Sequence, residues 1–243
     1  MRRFLTMLLC FPLMVEGSEN EARKIINQME ELYRGESSSV SMIMEVKTPR
    51  GSRSIKMSGQ TLGKERAIFR ILSPKKERGI TSLRRDKEMW NFFPKINKVI
   101  KIPPSMMMGS WMGSDFTNDD LVQETKLIDE YNLQLKTEEK SYLVILTPKE
   151  ETVSVWGKIE YLVQREPMLP LKQAFYDDDG EKIRELFYRE PKEFDGMLMP
   201  SVMQMIPLNK PGHSTTVIYE NLEFDPSGVS ETSFSLRELR KRL

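Results

Sequence analysis

Apolar and mostly polar residues alternate with a period of two along most of the chain. In the first such run every second residue from Val40 to Val46 is apolar, and the same period returns in later runs as far as Phe224. Successive side chains of a β-strand point to opposite faces, so this period predicts strands with one buried and one solvated face. Turn residues such as Pro49-Arg50-Gly51 separate the runs, as is typical of an antiparallel meander. The sequence therefore predicts a mainly β chain of about ten to eleven strands.

Helical signals are confined to three places. Residues 20–34 carry apolar side chains on one face at helical spacing, and Gly35 supplies a stop. A second, short helix is expected after Thr117, which has the chemistry of an N-cap, and a third, basic one over residues 236–243. A sheet of this many strands must twist and curl. We expect an unclosed antiparallel β-barrel with helices capping its cavity, in a single domain over residues 18–243.

The first 17 residues have the pattern of a secretory signal peptide. Arg2 and Arg3 form a basic start, residues 4–15 are mostly apolar, and Gly17 precedes the expected cleavage site before Ser18. The apolar run is too short to span a bilayer comfortably. Cys10 has no small residue in front of it, which argues against lipidation. The pattern predicts a soluble, unanchored periplasmic protein.

The composition of the mature chain excludes several functions. Removal of the leader leaves 35 basic and 35 acidic side chains and no cysteine, so the charge gives no support to nucleic-acid binding. A single histidine, His213, has no second imidazole or thiol to build a metal site or a triad with. The run Asp177-Asp178-Asp179-Gly180 lacks the spacing of a calcium loop and is expected to be a hairpin turn. We therefore predict no enzyme, no cofactor and no bound metal.

Residues 106–121, the central segment, do not fit the strand pattern. They read MMMGSWMGSDFTNDDL, with large apolar side chains among glycines and serines. Glycine weakens a strand interior, and a disordered linker carries less apolar surface. Two interpretations stay open: a surface loop with a hydrophobic plug, or a mobile lid hinged at Gly109 and Gly113. The side chains expected to cover the barrel opening are Met107, Met108, Trp111, Met112 and Phe116.

Residues 112–121 resemble the M-G-S-D-F-x-x-x-D-L signature of the bacterial outer-membrane lipoprotein-sorting protein family, which is similar to LolA and LolB. A Gly79-Ile80-Thr81-Ser82-Leu83 segment and a Trp90-Asn91-Phe92-Phe93-Pro94 strand come before the signature in the order that the resemblance implies. The resemblance implies an unclosed barrel whose apolar interior holds the acyl chains of a lipid or lipoprotein in transit through the periplasm. It also implies an inner-membrane exporter as donor and an outer-membrane acceptor.

The resemblance adds site residues to the central segment. Trp90 and Phe92 join the expected lipid-binding set, and Gly113, Ser114 and Asp115 form a signature turn. For Asp115 two roles stay open: bonding backbone N–H groups of its own turn, or docking a partner. A basic strand residue that holds the lid shut is also implied, with Arg53, Arg66 and Arg70 as candidates.

Two other functions stay open beside the carrier. One is a periplasmic lipid sensor or adaptor that signals to a membrane partner, although a sensor would usually carry a second domain. The other is a scaffold protein with a filled barrel and no ligand.

Overall fold

The computed structural model describes residues 15–33, 35–123, 127–152 and 154–242. The predicted signal peptide lies outside these residues except for its last three, which open the first helix. The strands are β1 Ser37–Thr48, β2 Gly51–Leu62, β3 Arg66–Ser73, β4 Thr81–Arg85, β5 Glu88–Phe93, β6 Lys98–Lys101, β7 Tyr131–Thr137, β8 Ser141–Pro148, β9 Lys158–Gln164, β10 Leu169–Tyr176, β11 Lys182–Phe194, β12 Met197–Pro207 and β13 Ser214–Phe224.

The helical elements are few and short after the first. The α-helices are α1 Val15–Glu31, α2 Asp120–Gln123, α3 Leu127–Glu130 and α4 Leu236–Leu239, and single 3₁₀ turns lie at Pro104–Met106, Trp111–Gly113 and Glu231–Phe234. Residues 114–119 join the second of these turns to α2, and the Asp120 N–H at the start of α2 donates to the Thr117 hydroxyl. The predicted N-terminal helix and the mainly β class are confirmed.

All thirteen described strands form one antiparallel sheet in the order β6-β5-β4-β3-β2-β1-β13-β12-β11-β10-β9-β8-β7. The first strand pairs with the last one, with Val40 opposite Leu222, so the two ends of the meander meet in the middle of the sheet. The two edges are β6 and β7, which follow each other in the sequence. The chain that connects them, of which the structure describes residues 102–123 and 127–130, therefore crosses from one edge to the other. This crossing is why the central segment lies over one face of the sheet.

The sheet has more strands than the ten to eleven predicted. The strand that the alternation did not indicate is β4, in which Leu83 is the only large apolar residue and two arginines follow it. Pairing with β3 and β5 on either side fixes it in the sheet, with Leu83 opposite both Ile68 and Trp90. Its strand character comes from these neighbours rather than from its own sequence.

The inner face of the sheet, defined here as the face toward α1 and the central segment, holds most of the apolar core. Its apolar residues come from alternate positions, for example Met42 and Met44 on β1 and Val144 and Leu146 on β8. The α1 helix covers the β7–β9 part of this face through Ile25, Ile26 and Met29, all buried. This is the one-sided packing that its apolar stripe predicts.

A smaller core lies on the outer face of β3, β4 and β5. Phe234 and Leu239 from the C-terminal residues pack there on Ile68, Trp90 and Phe92. Ser235 caps α4 by accepting a hydrogen bond from the Glu238 N–H, at 3.2 Å. The sheet is thus covered on its inner face by α1 and the central segment, and on part of its outer face by the C-terminal residues.

Candidate functional site

A cavity of about 150 Å³ lies between the inner face of the sheet and the central segment. Its walls are mainly aromatic, Met, Leu, Ile and Val side chains, among them Phe69 and Phe175 from the sheet and Trp111 and Phe116 from the central segment. A second cavity of about 60 Å³ also touches Tyr219 and adjoins the first beneath α1. A concave, mainly apolar space with few polar groups is the ordinary form of a site for a small hydrophobic ligand.

The central segment is folded on itself by its own hydrogen bonds. The Trp111 N–H donates to the Phe116 carbonyl at 2.8 Å, and the Ser114 N–H donates to the Trp111 carbonyl at 2.9 Å. Met112 (φ 48°) and Gly113 (φ 66°) both adopt left-handed backbone angles at the tip of this turn. The result is a compact loop that presents Trp111 and Phe116 to the cavity.

Trp111 is the deepest side chain of the central segment, with 4% of its surface exposed. Its indole Nε1–H donates to the Ser82 hydroxyl at 3.1 Å, and its ring meets the Phe69 ring edge-on at 5.5 Å between centroids. Phe69 lies directly over Gly59, where an added Cβ would be 2.5 Å from the phenyl ring. The absence of a side chain at Gly59 therefore makes room for the ring against which Trp111 packs.

Three arginines bind the central segment to the sheet. Arg53 of β2 donates to the Met112 carbonyl, Arg84 of β4 to the Leu121 carbonyl at 2.7 Å, and Arg184 of β11 to the Asp120 carboxylate at 2.8 Å. Arg53 also pairs with Glu77 at 3.0 Å. These contacts attach the central segment at Met112 and at residues 120–121, and the rings of Trp111 and Phe116 add apolar contacts with the sheet.

Of the three latch candidates named from the sequence, only Arg53 reaches the central segment. Arg66 pairs with Glu231, and Arg70 donates to the Glu238 carbonyl at 2.7 Å, so both bind the C-terminal residues on the outer face. Burial lowers the pKa of Arg70 although Glu238 partly opposes this.

Arg84 and Arg184 were missed by the sequence reasoning. Arg184 alternates with Leu186 and Tyr188, which could have placed its side chain on the inner face of β11. Ile183 and Phe187 give the opposite face an equally apolar pattern, so the sequence does not show which face is the inner one.

The Asp115 carboxylate bonds a strand of the sheet rather than the backbone N–H groups of its own turn. Its carboxylate accepts a hydrogen bond from the Thr215 hydroxyl of β13 at 2.7 Å, and its N–H donates to the same hydroxyl at 2.9 Å. The bonds within the turn are made instead by Ser114, whose hydroxyl accepts from the Phe116 N–H at 3.2 Å. His213 Nδ1 lies 3.9 Å from the Asp115 carboxylate. Asp115 thus anchors the tip of the central segment to the middle of the sheet.

The other predicted site residues fall into two groups. Met112 is half-buried and packs on the inner-face core, whereas Met107 is half-buried and Met108 is 41% exposed, outside the cavity wall. Trp90 and Phe92 were expected to bind lipid, but they lie in the outer-face core under Phe234. The reason is the alternation itself: Met89 and Asn91 take the inner positions of β5, which turns Trp90 and Phe92 outward.

Three polar side chains of the cavity wall, Tyr131, Ser154 and Asp120, have hydrogen-bond partners. The Tyr131 phenol lies 2.7 Å from the Ser154 hydroxyl, and burial is the main reason that the pKa of Tyr131 is raised, so the phenol stays neutral. Thr117 and Asp120 bond each other reciprocally, at 2.7 and 3.1 Å, which caps α2 and orients the Asp120 carboxylate. Within the described residues no cluster of His, Cys, Asp and Glu is arranged to hold a metal ion.

No helix in the described part of the chain is long and apolar enough to cross a membrane. No curated protein sequence matches the chain. A family model whose description reads "-like: Uncharacterized protein" matches residues 63–241.

Three solved structures share the fold at low sequence identity. One is a domain from Vibrio parahaemolyticus that is described as an outer membrane lipoprotein-sorting protein domain. It has 21% identity, a TM-score of 0.79 and coverage of 92% of this chain and 100% of that one. A DUF1329 family protein from Desulfovibrio piger has 21% identity, a TM-score of 0.82 and coverage of 91% and 99%. The LolA superfamily protein NE2245 from Nitrosomonas europaea has 18% identity, a TM-score of 0.73 and coverage of 89% and 98%.

These likenesses confirm the resemblance drawn from the signature at residues 112–121. The unclosed, mostly antiparallel sheet of this chain is the LolA-like fold of these neighbours. The chain belongs to the family of uncharacterised proteins whose model matches it, and its fold is that of the LolA-like outer-membrane lipoprotein-sorting proteins.

Proposed function

We propose that this protein is a periplasmic carrier that binds the acyl chains of a lipid or lipoprotein in the cavity beneath the central segment and passes them towards the outer membrane. The observation that carries the proposal is the apolar cavity between the inner face of an unclosed sheet and a segment bonded to it at both ends. The proposal is supported by the likeness of the fold to an outer membrane lipoprotein-sorting protein domain and to a LolA superfamily protein.

The energetics favour an enclosed site over a surface patch. Each buried methylene is worth about 0.8 kcal/mol, so a sixteen-carbon chain that leaves a bilayer loses on the order of 12 kcal/mol. Covering one exposed apolar side chain contributes about 1.5 to 3 kcal/mol, so a surface patch would need many such side chains to compensate for this loss. The inner face of a curled sheet offers such a surface once the central segment moves.

The cavity in its present form is small. A space of about 150 Å³ holds a molecule on the scale of benzene, so a long acyl chain requires Trp111 and Phe116 to leave their positions. We therefore propose that the central segment acts as a lid, whose side chains cover the inner face when the protein is empty and cover the cargo when it is loaded. Methionine and tryptophan suit both surfaces because Met adapts its shape.

Direction would come from the partners. A lipid passes spontaneously only to a site that binds it more tightly, so we propose an inner-membrane exporter as donor and an outer-membrane acceptor of higher affinity. Location in the periplasm has a simple test. The intact mass of the exported protein should correspond to a start at or near Ser18, and a product that keeps Met1 and sediments with membranes would contradict it.

A reversible lock tests the lid and the cavity together. Asp115 and Thr215 bond each other across the closed lid, and the sequence after residue 17 has no cysteine, so an Asp115→Cys/Thr215→Cys variant can be oxidised and reduced without side reactions. We expect the oxidised form to take up a fluorescent palmitoyl lipid at least tenfold more slowly than the reduced form of the same protein. The single variant Thr215→Cys is the control and should not respond to oxidation.

Equal uptake by the oxidised and reduced forms would show that this segment does not gate the site. Absence of lipid from native mass spectra of the wild-type protein purified from its own periplasm, with no uptake in vitro, would refute the carrier function itself.

A further inference from the structure

Arg184 is a buried cation that lies against two neighbouring aromatic rings of the cavity wall. It lies on β11 with 4% of its surface exposed. Its guanidinium carbon is 4.3 Å from the centroid of the Phe175 ring and 4.5 Å from that of Trp156. Both rings line the cavity of about 150 Å³. Contact with two aromatic rings attracts the guanidinium and restricts the positions that it can take.

The charge of Arg184 is compensated by a group that belongs to the lid. Both Nη groups donate to the two oxygens of the Asp120 carboxylate, one of them at 2.8 Å. Asp120 is itself held by the Thr117 N–H, so it is part of the central segment and not of the sheet. The remaining donor, Arg184 Nε, is buried and has no hydrogen-bond partner among the described residues.

Opening of the lid would therefore separate an ion pair. If the central segment moves, Asp120 moves with it, while Trp156 and Phe175 keep the guanidinium beside the cavity. A buried cation without a partner is strongly unfavourable. An incoming ligand that brings an anion to the place of the Asp120 carboxylate would remove this penalty, whereas a ligand without one would not.

We propose that Arg184 is the headgroup site of the cargo, and that the cargo is an anionic lipid whose phosphate or carboxylate replaces the Asp120 carboxylate. This proposal rests on the carrier function and names its substrate class. Phosphate and carboxylate share the bidentate geometry that a guanidinium binds, and the two are separated by the choice of probe. Asp120 in this account occupies the anion site when the protein is empty.

The test compares ligands that share acyl chains and differ in charge. Dioleoyl phosphatidic acid is compared with dioleoylglycerol, and oleate with oleyl alcohol, so that each anion has a neutral partner with the same number of chains; inorganic phosphate is the probe without a chain. We expect at least one of the two anionic lipids to bind at least tenfold more tightly than its neutral partner, and inorganic phosphate to compete only weakly because it buries no chain. The anion with the larger preference over its neutral partner identifies the headgroup.

Two variants separate headgroup binding from a purely structural role. Arg184→Met keeps the aliphatic part of the side chain and removes its charge. We expect this variant to bind the anionic and the neutral lipid with about equal affinity, so that the preference is lost while dioleoylglycerol still binds. In Asp120→Asn the competing carboxylate is lost and the capping contact is kept in part, so we expect the affinity for the anionic lipid to rise and the preference to be kept or increased. Arg184→Lys serves if the Met variant does not fold, and it should keep part of the preference.

The outcomes are distinct from those of the carrier proposal. Equal binding of charged and neutral lipids by the wild-type protein would overturn the headgroup site and leave the carrier intact. An equal change for all ligands in Arg184→Met, with the preference unchanged, would reduce Arg184 to a latch and also overturn it. Binding of none of the lipids would refute the carrier function first.

Discussion

Trp111 is as buried as a core residue, yet it lies in a segment that belongs to no strand of the sheet. Replacement of a buried tryptophan in a fixed core costs about 3 to 5 kcal/mol. If the segment opens locally, the loss is limited to the free energy of that opening, because the rest of the fold survives without it. We therefore expect Trp111→Ser to lower the free energy of unfolding by less than a fixed-core substitution and to speed lipid dissociation.

Trp90 offers a matched control for that experiment. It is the same residue type, 8% exposed, in the outer-face core away from the cavity. Trp90→Ser should cost the full core penalty and leave the rate of lipid dissociation unchanged. Urea unfolding and lipid off-rates measured on both variants give the answer. A large loss of stability in Trp111→Ser with an unchanged off-rate would rule out the lid.

Gly113 combines two constraints at the tip of the central segment. Its φ is +66°, and a Cβ there would lie 2.7 Å from the Arg53 guanidinium that holds the Met112 carbonyl. Left-handed backbone costs a residue other than glycine about 1–2 kcal/mol, and Arg53 must also move. Gly113→Ala should therefore lower the melting temperature and accelerate lipid exchange.

Gly63 provides the same backbone strain without the arginine. Its φ is +55°, and nothing lies within 4 Å of an added Cβ. Gly63→Ala should lower the melting temperature by a similar amount and leave lipid exchange as in the wild type. Acceleration of exchange by both variants would mean that stability alone, and not the Arg53 contact, sets the rate.

Among the elements, the C-terminal residues stabilise the sheet from the side opposite the cavity. Phe234 is 1% exposed and packs on Ile68 and Phe92, whereas Leu236 nearby is 37% exposed. Phe234→Ala should cost about 3–5 kcal/mol by leaving a cavity in the outer-face core. Leu236→Ala should cost much less, and neither should change the affinity for lipid. A loss of lipid affinity in folded Phe234→Ala would show that the two faces are coupled.

At the scale of the whole molecule, the free energy of unfolding is expected to depend on pH through a carboxylate on the outer face of the sheet. Glu185 lies between Lys172 and Lys182, at 3.3 and 3.1 Å. Burial would raise the pKa of this carboxyl, but the hydrogen bonds and charges of the two lysines outweigh it, so the pKa of Glu185 is lowered. A carboxyl whose pKa is lower in the folded state adds stability that is complete above its unfolded pKa, about 4.3, and is lost as the pH falls through the folded value.

Urea unfolding at pH 6 and pH 3 tests this sign. The wild-type protein should lose stability on acidification, and Glu185→Gln should be less stable at pH 6 and lose less between the two values. The control Glu193→Gln changes an exposed glutamate of the same strand and should follow the wild type. A pH response of Glu185→Gln equal to that of the wild type would show that this carboxyl contributes nothing to it.

The sequence by itself determined the class of fold and the place of the unusual segment. Period-two alternation is a local property, so runs such as Val40 to Val46 predict strands without knowledge of their partners. The apolar stripe of α1 is local in the same way. Residues 106–121 combine glycines with large apolar side chains, a composition that fits neither a strand nor a disordered linker, so the sequence alone distinguishes this segment from the rest.

Only the folded chain decided which residues form the site. Alternation assigns Trp90 and Phe92 to one face of β5, but both faces are covered there, so only the packing of Phe234 shows that this face is the outer one. Leu83 lies in a strand only because β3 and β5 flank it. Arg184 meets Asp120 across 64 residues of sequence and Asp115 meets Thr215 across 100. Such pairs depend on the order of strands in the sheet, which brings distant residues together and leaves no local pattern in the sequence.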